Sequence, residues 1–222
     1  FSKGLANSSG YVGRNIMAHG DVRAMGAFDD FIINGFIGPG SAAMRIDDFN
    51  GNNFDHSDLG FIRGGTIGTS GDGTPVSRLD VLPPGVPGWG KEFKDFYTRY
   101  YTRIMDLNMQ PETLPHPDNC VDLDPRHRDR WGLPLPRVTF EFHQNEQRLQ
   151  KFMAGVGDKI MRATGASKVW TEEKGHPNRW AGGTRMGADA KNSVVNANCQ
   201  THDIDNLFIV GSSVFPTMAG YP

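Results

Sequence analysis

Apolar and polar positions alternate in short bursts through the first third of the chain. VRAMGAF (22–28), FIINGFI (31–37) and GFIRGGTI (60–67) predict strands separated by Gly, Asn and Asp, and the polar run GNNFDHSD between them predicts a loop. The glycine-rich residues 1–20 predict a loop feeding a short helix. After the proline-glycine hinge PPGVPGWG (83–90) the period changes. Phe93, Phe96, Tyr97, Tyr100, Tyr101 and Ile104 fall three and four residues apart, which predicts a helix over 91–105 with one apolar stripe. Residues 107–136 carry several prolines and predict irregular chain. Val138, Phe140 and Phe142 then alternate with polar neighbours, as in a half-buried strand. Leu149, Phe152, Met153, Val156 and Ile160 line one face of a second helix, Asn145 to Thr164, with Gly165 as its stop. Leu207–Val210 reads as an apolar strand ending at Gly211, where backbone amides can approach a phosphate closely.

Length and charge narrow the classes. A chain of 222 residues with formal net charge −2 can bury a substantial core. Its basic residues are scattered, which argues against nucleic-acid binding. No apolar run reaches the ~18 residues of a membrane span. Cys120 and Cys199 stand far apart with no Cys-x-x-Cys or Cys/His cluster, so two buried thiols are expected and no cysteine-based structural zinc site.

Two glycine-rich stretches imitate phosphate-binding motifs. Gly38-Pro39-Gly40-Ser41-Ala42-Ala43 has the form of a dinucleotide fingerprint, with Asp58 about twenty residues on. That fingerprint needs a helix next, whereas Met44-Arg45-Ile46-Asp47 alternates like a strand, so a turn between antiparallel strands is expected. The run from Gly64 to Gly73 lacks the Lys-Ser/Thr ending of a P-loop and predicts a surface loop. Gly-x-Ser-x-Gly is absent, which argues against serine hydrolysis. His143, between a predicted strand and helix, suits capping or packing. His176 stands before the glycine-rich stretch AGGTRMG, and histidine is the side chain that most often serves as a proton acceptor in catalysis.

Four stretches in this order and spacing resemble the glucose–methanol–choline (GMC) oxidoreductases: SSGYVGRNIMAH, LPLPRVTFEFHQNEQR, AGGTRMGADAKNSVVN and HDIDNLFIVGSSVFPT. The nearest branch holds gluconate 2-dehydrogenase flavoprotein subunits, glucoside 3-dehydrogenases and pyranose oxidases. The resemblance implies an α+β fold. An antiparallel-sheet substrate-binding domain with helices (21–171) is joined to C-terminal pieces of a Rossmann-type FAD-binding domain (1–20 and 172–222), within a longer enzyme. It implies FAD as cofactor, held through Asn15, Gly183, Thr184, Gly211, Ser212, Ser213 and Thr217. It implies oxidation of a CH–OH group of a sugar, glycoside or polyol, a base taking the hydroxyl proton while hydride goes to the flavin.

The family's histidine is expected four or five residues before Thr184, where this chain has Arg179 and Trp180; His176 is the nearest candidate for its role. The partners implied are a small-molecule substrate, an electron acceptor of unknown identity and a small subunit or cytochrome. No metal is implied, and the compartment is bacterial periplasm or cytoplasm. The alternative is a catalytically impaired homologue that binds carbohydrate or a protein partner. The isolated chain is expected to be inactive.

Overall fold

The structure is a computed structural model that describes residues 4–33, 44–69 and 82–220. Its elements in chain order are β1 (Met17–Ala27), β2 (Arg45–Ile46), β3 (Gly65–Thr69), α1 (Lys91–Tyr100), β4 (Ile104–Pro111), β5 (Cys120–Arg128), β6 (Pro134–Thr139), α2 (Gln144–Ala163) and β7 (Lys168–Ala181), followed by a single 3-10 turn, Ser212–Val214. The fold is α+β. One five-stranded sheet runs β2-β3-β4-β1-β7, and β5-β6 form a separate two-stranded ribbon. The pairs β1–β4, β2–β3, β3–β4 and β5–β6 are antiparallel.

Contacts divide the chain into two compact units. One comprises 20–111, 144–176 and 220–222; the other comprises 1–19, 112–143 and 177–219. Residues 112–143 therefore pack with the two terminal segments.

The first unit is built on a sheet whose inner strand β1 is buried on both faces. Side chains of β1 alternate: Val22 and Ala24 join one core cluster, Met25 and Ala27 another. Against Val22 and Ala24 lie Leu107 and Met109 of β4, Ile67 of β3, and Leu149, Met153, Ala154 and Met161 of α2. Burying each of these large side chains contributes roughly 1.5–3 kcal/mol. On the other face Phe96 and Tyr100 of α1 pack with Ile104 and Trp170. Helix α2 comes close to the sheet because Gly157 has no side chain; a Cβ there would lie 2.8 Å from both Ala24 Cβ and Met109 Cε.

The differences from the sequence expectations have physical causes. The aromatic stripe continues past the end of its helix: α1 stops at Tyr100 and Ile104 opens β4. In α1 the buried members are Phe96 and Tyr100, while Phe93, Tyr97 and Tyr101 stack on one another at 5.5 to 5.7 Å along a half-buried face. Residues 107–136, expected to be irregular, contain most of β4, all of β5 and the start of β6. Pro115 and Pro117 lie between strands, and the others sit where β-ladders tolerate them: Pro111 at the end of β4, and Pro125, Pro134 and Pro136 on the two-stranded ribbon.

Strand β6 ends at Thr139, before Phe140 and Phe142, and its Val138 is exposed. Residues 31–33 form no strand, and 34–37 lie outside the described residues, as do the turn 38–43 and residues 70–73. Gly65–Thr69 of the expected surface loop is instead the buried strand β3. Residues 4–16 form turns without a helix. The stretch 207–210 makes only an isolated bridge, Gln200 with Phe208, and Phe208 and Val210 are exposed. Helix α2 is as expected within one residue, and Gly165 follows it at φ 83°. Both cysteines are free thiols, Cys120 buried and Cys199 half-buried.

Candidate functional site

In the second unit, two segments far apart in sequence run side by side through their main chains. Gly182 N–H donates to Ser212 C=O (3.0 Å), Thr184 N–H to Ser213 C=O (2.9 Å) and Met186 N–H to Val214 C=O (2.8 Å). The Ser212 hydroxyl donates to Trp180 C=O at 3.0 Å. A third segment closes on this ladder: Gly13 N–H donates to Gly183 C=O at 2.7 Å, and Ile16 N–H to Asn119 C=O at 3.0 Å. Gly182 must be a glycine here. Its φ is 81°, in the left-handed region, and a Cβ would stand 2.3 Å from Asn15 C=O oxygen. Met17, Ala181 and Met218 form a small buried cluster beneath.

These segments border an open groove of about 550 Å³ lined by Ile16, Val121, Val138, Trp180, Ala181, Gly182, Ser212 and Ser213. Its walls are mainly apolar, with a few polar groups beside them, the usual make-up of a small-molecule site. Val121 and Val138 are direct cross-strand partners on β5 and β6. Trp180 packs edge-on against Phe140, centroids 4.9 Å apart. Next to Val121, Asp122 receives a two-pronged bond from Arg137 (2.8 and 2.5 Å), and that guanidinium holds its carboxyl below the usual range. Two residues on, Asp124 accepts from the backbone N–H groups of His127 and Arg126 and is lowered to about 2.

Polar atoms are left over around the ladder. Asn15 Oδ1, Thr184 Oγ1 and Arg185 Nε are buried with no hydrogen-bond partner. The Asn15 amide itself donates to Pro115 C=O at 2.9 Å, and its backbone is left-handed at φ 58°. Buried polar atoms in folded proteins nearly always find a partner, so these three have hydrogen-bonding capacity that a polar ligand could use.

Of the residues expected from sequence, Ser212 and Ser213 line the groove, Gly183 and Thr184 belong to the ladder beside it, and Asn15 lies against Gly182. Gly211 precedes the 3-10 turn at φ 106° and Thr217 is exposed; neither lines the groove. His176 is exposed on β7, falls in the sheet-bearing unit, and is not a lining residue either. The sequence reading missed Ile16, Val121, Val138 and Ala181, and named Trp180 only as a residue standing where the family's histidine is expected. Only the β-register of the 120–139 ribbon would have pointed to Val121 and Val138.

Comparison with known proteins gives the site its context. Gluconate 2-dehydrogenase flavoprotein of Pantoea cypripedii is 34% identical over 227 residues, which is 96% of this chain and 37% of that protein. 2-Methyl-1,2-propanediol dehydrogenase of Mycolicibacterium austroafricanum is 32% identical over 222 residues, 96% of this chain and 39% of its own length. Fructose dehydrogenase large subunit of Gluconobacter japonicus is 29% identical over 208 residues, 93% and 37% respectively. The chain thus spans less than two fifths of these relatives. The ladder, the β5-β6 ribbon and most of the groove fall within residues 115–222, and this stretch is a C-terminal domain of the GMC oxidoreductase family.

Proposed function

We propose that this chain serves an FAD-dependent oxidation of a CH–OH group in a sugar, glycoside or polyol. The observation that carries the reading is the main-chain ladder between 182–186 and 212–214, with Asn15 Oδ1 and Thr184 Oγ1 buried and unpartnered around it. A flavin ring is flat and apolar on its faces, with hydrogen-bonding groups along its edge. Glycine backbone, apolar walls and leftover polar atoms fit such a ring, and FAD when bound would supply the hydride acceptor.

In this proposal Asn15, Gly183, Thr184, Ser212 and Ser213 hold the cofactor, with Gly211 and Thr217 nearby in sequence. The unit containing them contributes to FAD binding, and the sheet-bearing unit contributes to substrate binding. His176 accepts the alcohol proton, a role suited to an imidazole near neutral pH. The three relatives named above are all dehydrogenases, which favours an acceptor other than dioxygen, either a small subunit or a cytochrome.

The test is anaerobic mixing of the full-length protein with gluconate, fructose and a small diol panel, following oxidised-flavin absorbance. Bleaching by one class identifies it. A full-length protein without flavin would overturn the reading. A second reading, a homologue that binds sugar without oxidising it, is favoured by Arg179 and Trp180 standing where the histidine is expected and by His176 not lining the groove. Flavin that shifts its spectrum with sugar yet never bleaches would decide for it.

A further inference from the structure

The β5-β6 ribbon pairs Cys120 with Thr139, Val121 with Val138 and Asp122 with Arg137. Past the last pair the chain leaves the ladder: residues 117 and 118 form a turn, with Asn119 N–H donating to His116 C=O at 3.2 Å, and the turn sets His116 and Asp118 beside Glu141 and His143 at the ribbon's base. One ligand atom each from Asp118, Glu141 and His143 lie within 4.8 Å of one another. His143 Nε2, shielded from solvent, stands 3.4 Å from Asp118 Oδ1. The His116 ring lies flat on the His143 ring, centroids 3.7 Å apart and planes 5° from parallel, which fixes the direction in which Nε2 points.

We infer that Asp118, Glu141 and His143 form a binding site for one divalent transition-metal ion, Zn²⁺ foremost, with His116 as a positioning residue. Two carboxylates held this close together repel, and a dication removes that repulsion. One imidazole nitrogen with two carboxylate oxygens is a donor set suited to Zn²⁺ or Mn²⁺. For bonds of about 2.0–2.2 Å in tetrahedral geometry, neighbouring ligand atoms sit about 3.4 Å apart, which is the His143–Asp118 separation seen here.

The backbone is already held in place. Buried Asn119 donates from its amide to Glu141 C=O (3.1 Å) and accepts from Glu141 N–H (3.0 Å), locking the two ligand-bearing segments together. Water would fill the remaining position. Such an ion would staple the ribbon's base. Cysteine spacing gave no hint of it, because the ligands are a histidine and two acids brought together where the chain turns at the ribbon's base.

The test is Zn²⁺ titration of tag-free, chelator-treated protein against a chromophoric competitor. One equivalent is expected to bind. Asp118→Asn and Glu141→Gln, both at exposed positions and close in shape to the native residues, should each weaken binding at least ~10-fold. His127→Ala removes the other Asp–His pair on this ribbon and should change nothing. Circular dichroism checks that each variant is folded. No binding by the native protein, binding unchanged in Asp118→Asn and Glu141→Gln, or binding lost in His127→Ala would each overturn the site.

Discussion

Gly182 offers a measurement of how much a close backbone contact contributes, because Gly132 provides a matched control. The two have nearly the same backbone, φ 81° and 82°, yet a Cβ at Gly132 meets nothing within 4 Å, whereas at Gly182 it meets the Asn15 carbonyl oxygen at 2.3 Å. Alanine at either position takes on a left-handed backbone, at about 1–2 kcal/mol. At Gly182 the chain must also open by roughly 1 Å to relieve the clash, an overpacking cost of about 1–3 kcal/mol. That movement strains the Gly182–Ser212 hydrogen bond, worth about 0.5–1.5 kcal/mol. Gly182→Ala should therefore destabilise by about 2.5–6.5 kcal/mol and Gly132→Ala by about 1–2 kcal/mol. Urea unfolding followed by tryptophan fluorescence reads both. Equal losses in the two variants would refute the argument that the ladder is closed by backbone contact at Gly182.

Three further outcomes are expected. Thr184→Val removes a buried hydroxyl without a partner, so flavin-free protein should gain or keep stability while the full-length protein releases FAD more readily; tighter FAD retention would contradict its assignment. His176→Ala in the full-length protein should slow anaerobic flavin reduction by ~10²-fold or more, and an unchanged rate in stopped-flow removes His176 from the mechanism. Asp124 is depressed from 3.8 to about 2 by the amides it accepts from. A lowered carboxyl stabilises above its unfolded value, so that contribution is complete above pH ~4–5 and fades as pH falls towards 2. Acid unfolding of Asp124→Asn should lack this component, and parallel native and variant curves between pH 5 and 2 would exclude it.

Helix α2 was legible because a twenty-residue amphipathic period with a glycine stop leaves few alternatives. Strand β1 was legible only in part. Burial on both faces replaced alternation with a continuous run in which Ala18, His19 and Gly20 carry no strand signature. β7 was missed altogether, since GHPNRW has the composition of a loop and its extended course depends on tertiary pairing. The glycines and serines of the ladder stood out in the sequence through the family resemblance. The groove's opposite wall did not, because Val121 and Val138 become neighbours only through a register that no local pattern announces.

The β5-β6 ribbon exposes Leu123, Trp131, Leu133 and Val138, each more than half accessible. Between them stand Asp122, Arg126, Arg128, Arg130 and Arg137, and the Arg130 guanidinium covers the Trp131 ring at 4.0 Å. Such interspersed charge acts as a gatekeeper, keeping sticky ribbons from pairing edge to edge. Its reach shrinks with ionic strength, to about 10 Å at 0.1 M and about 3 Å at 1 M. Concentrated salt therefore weakens this gatekeeping, so any self-association through the ribbon is expected to grow with ionic strength.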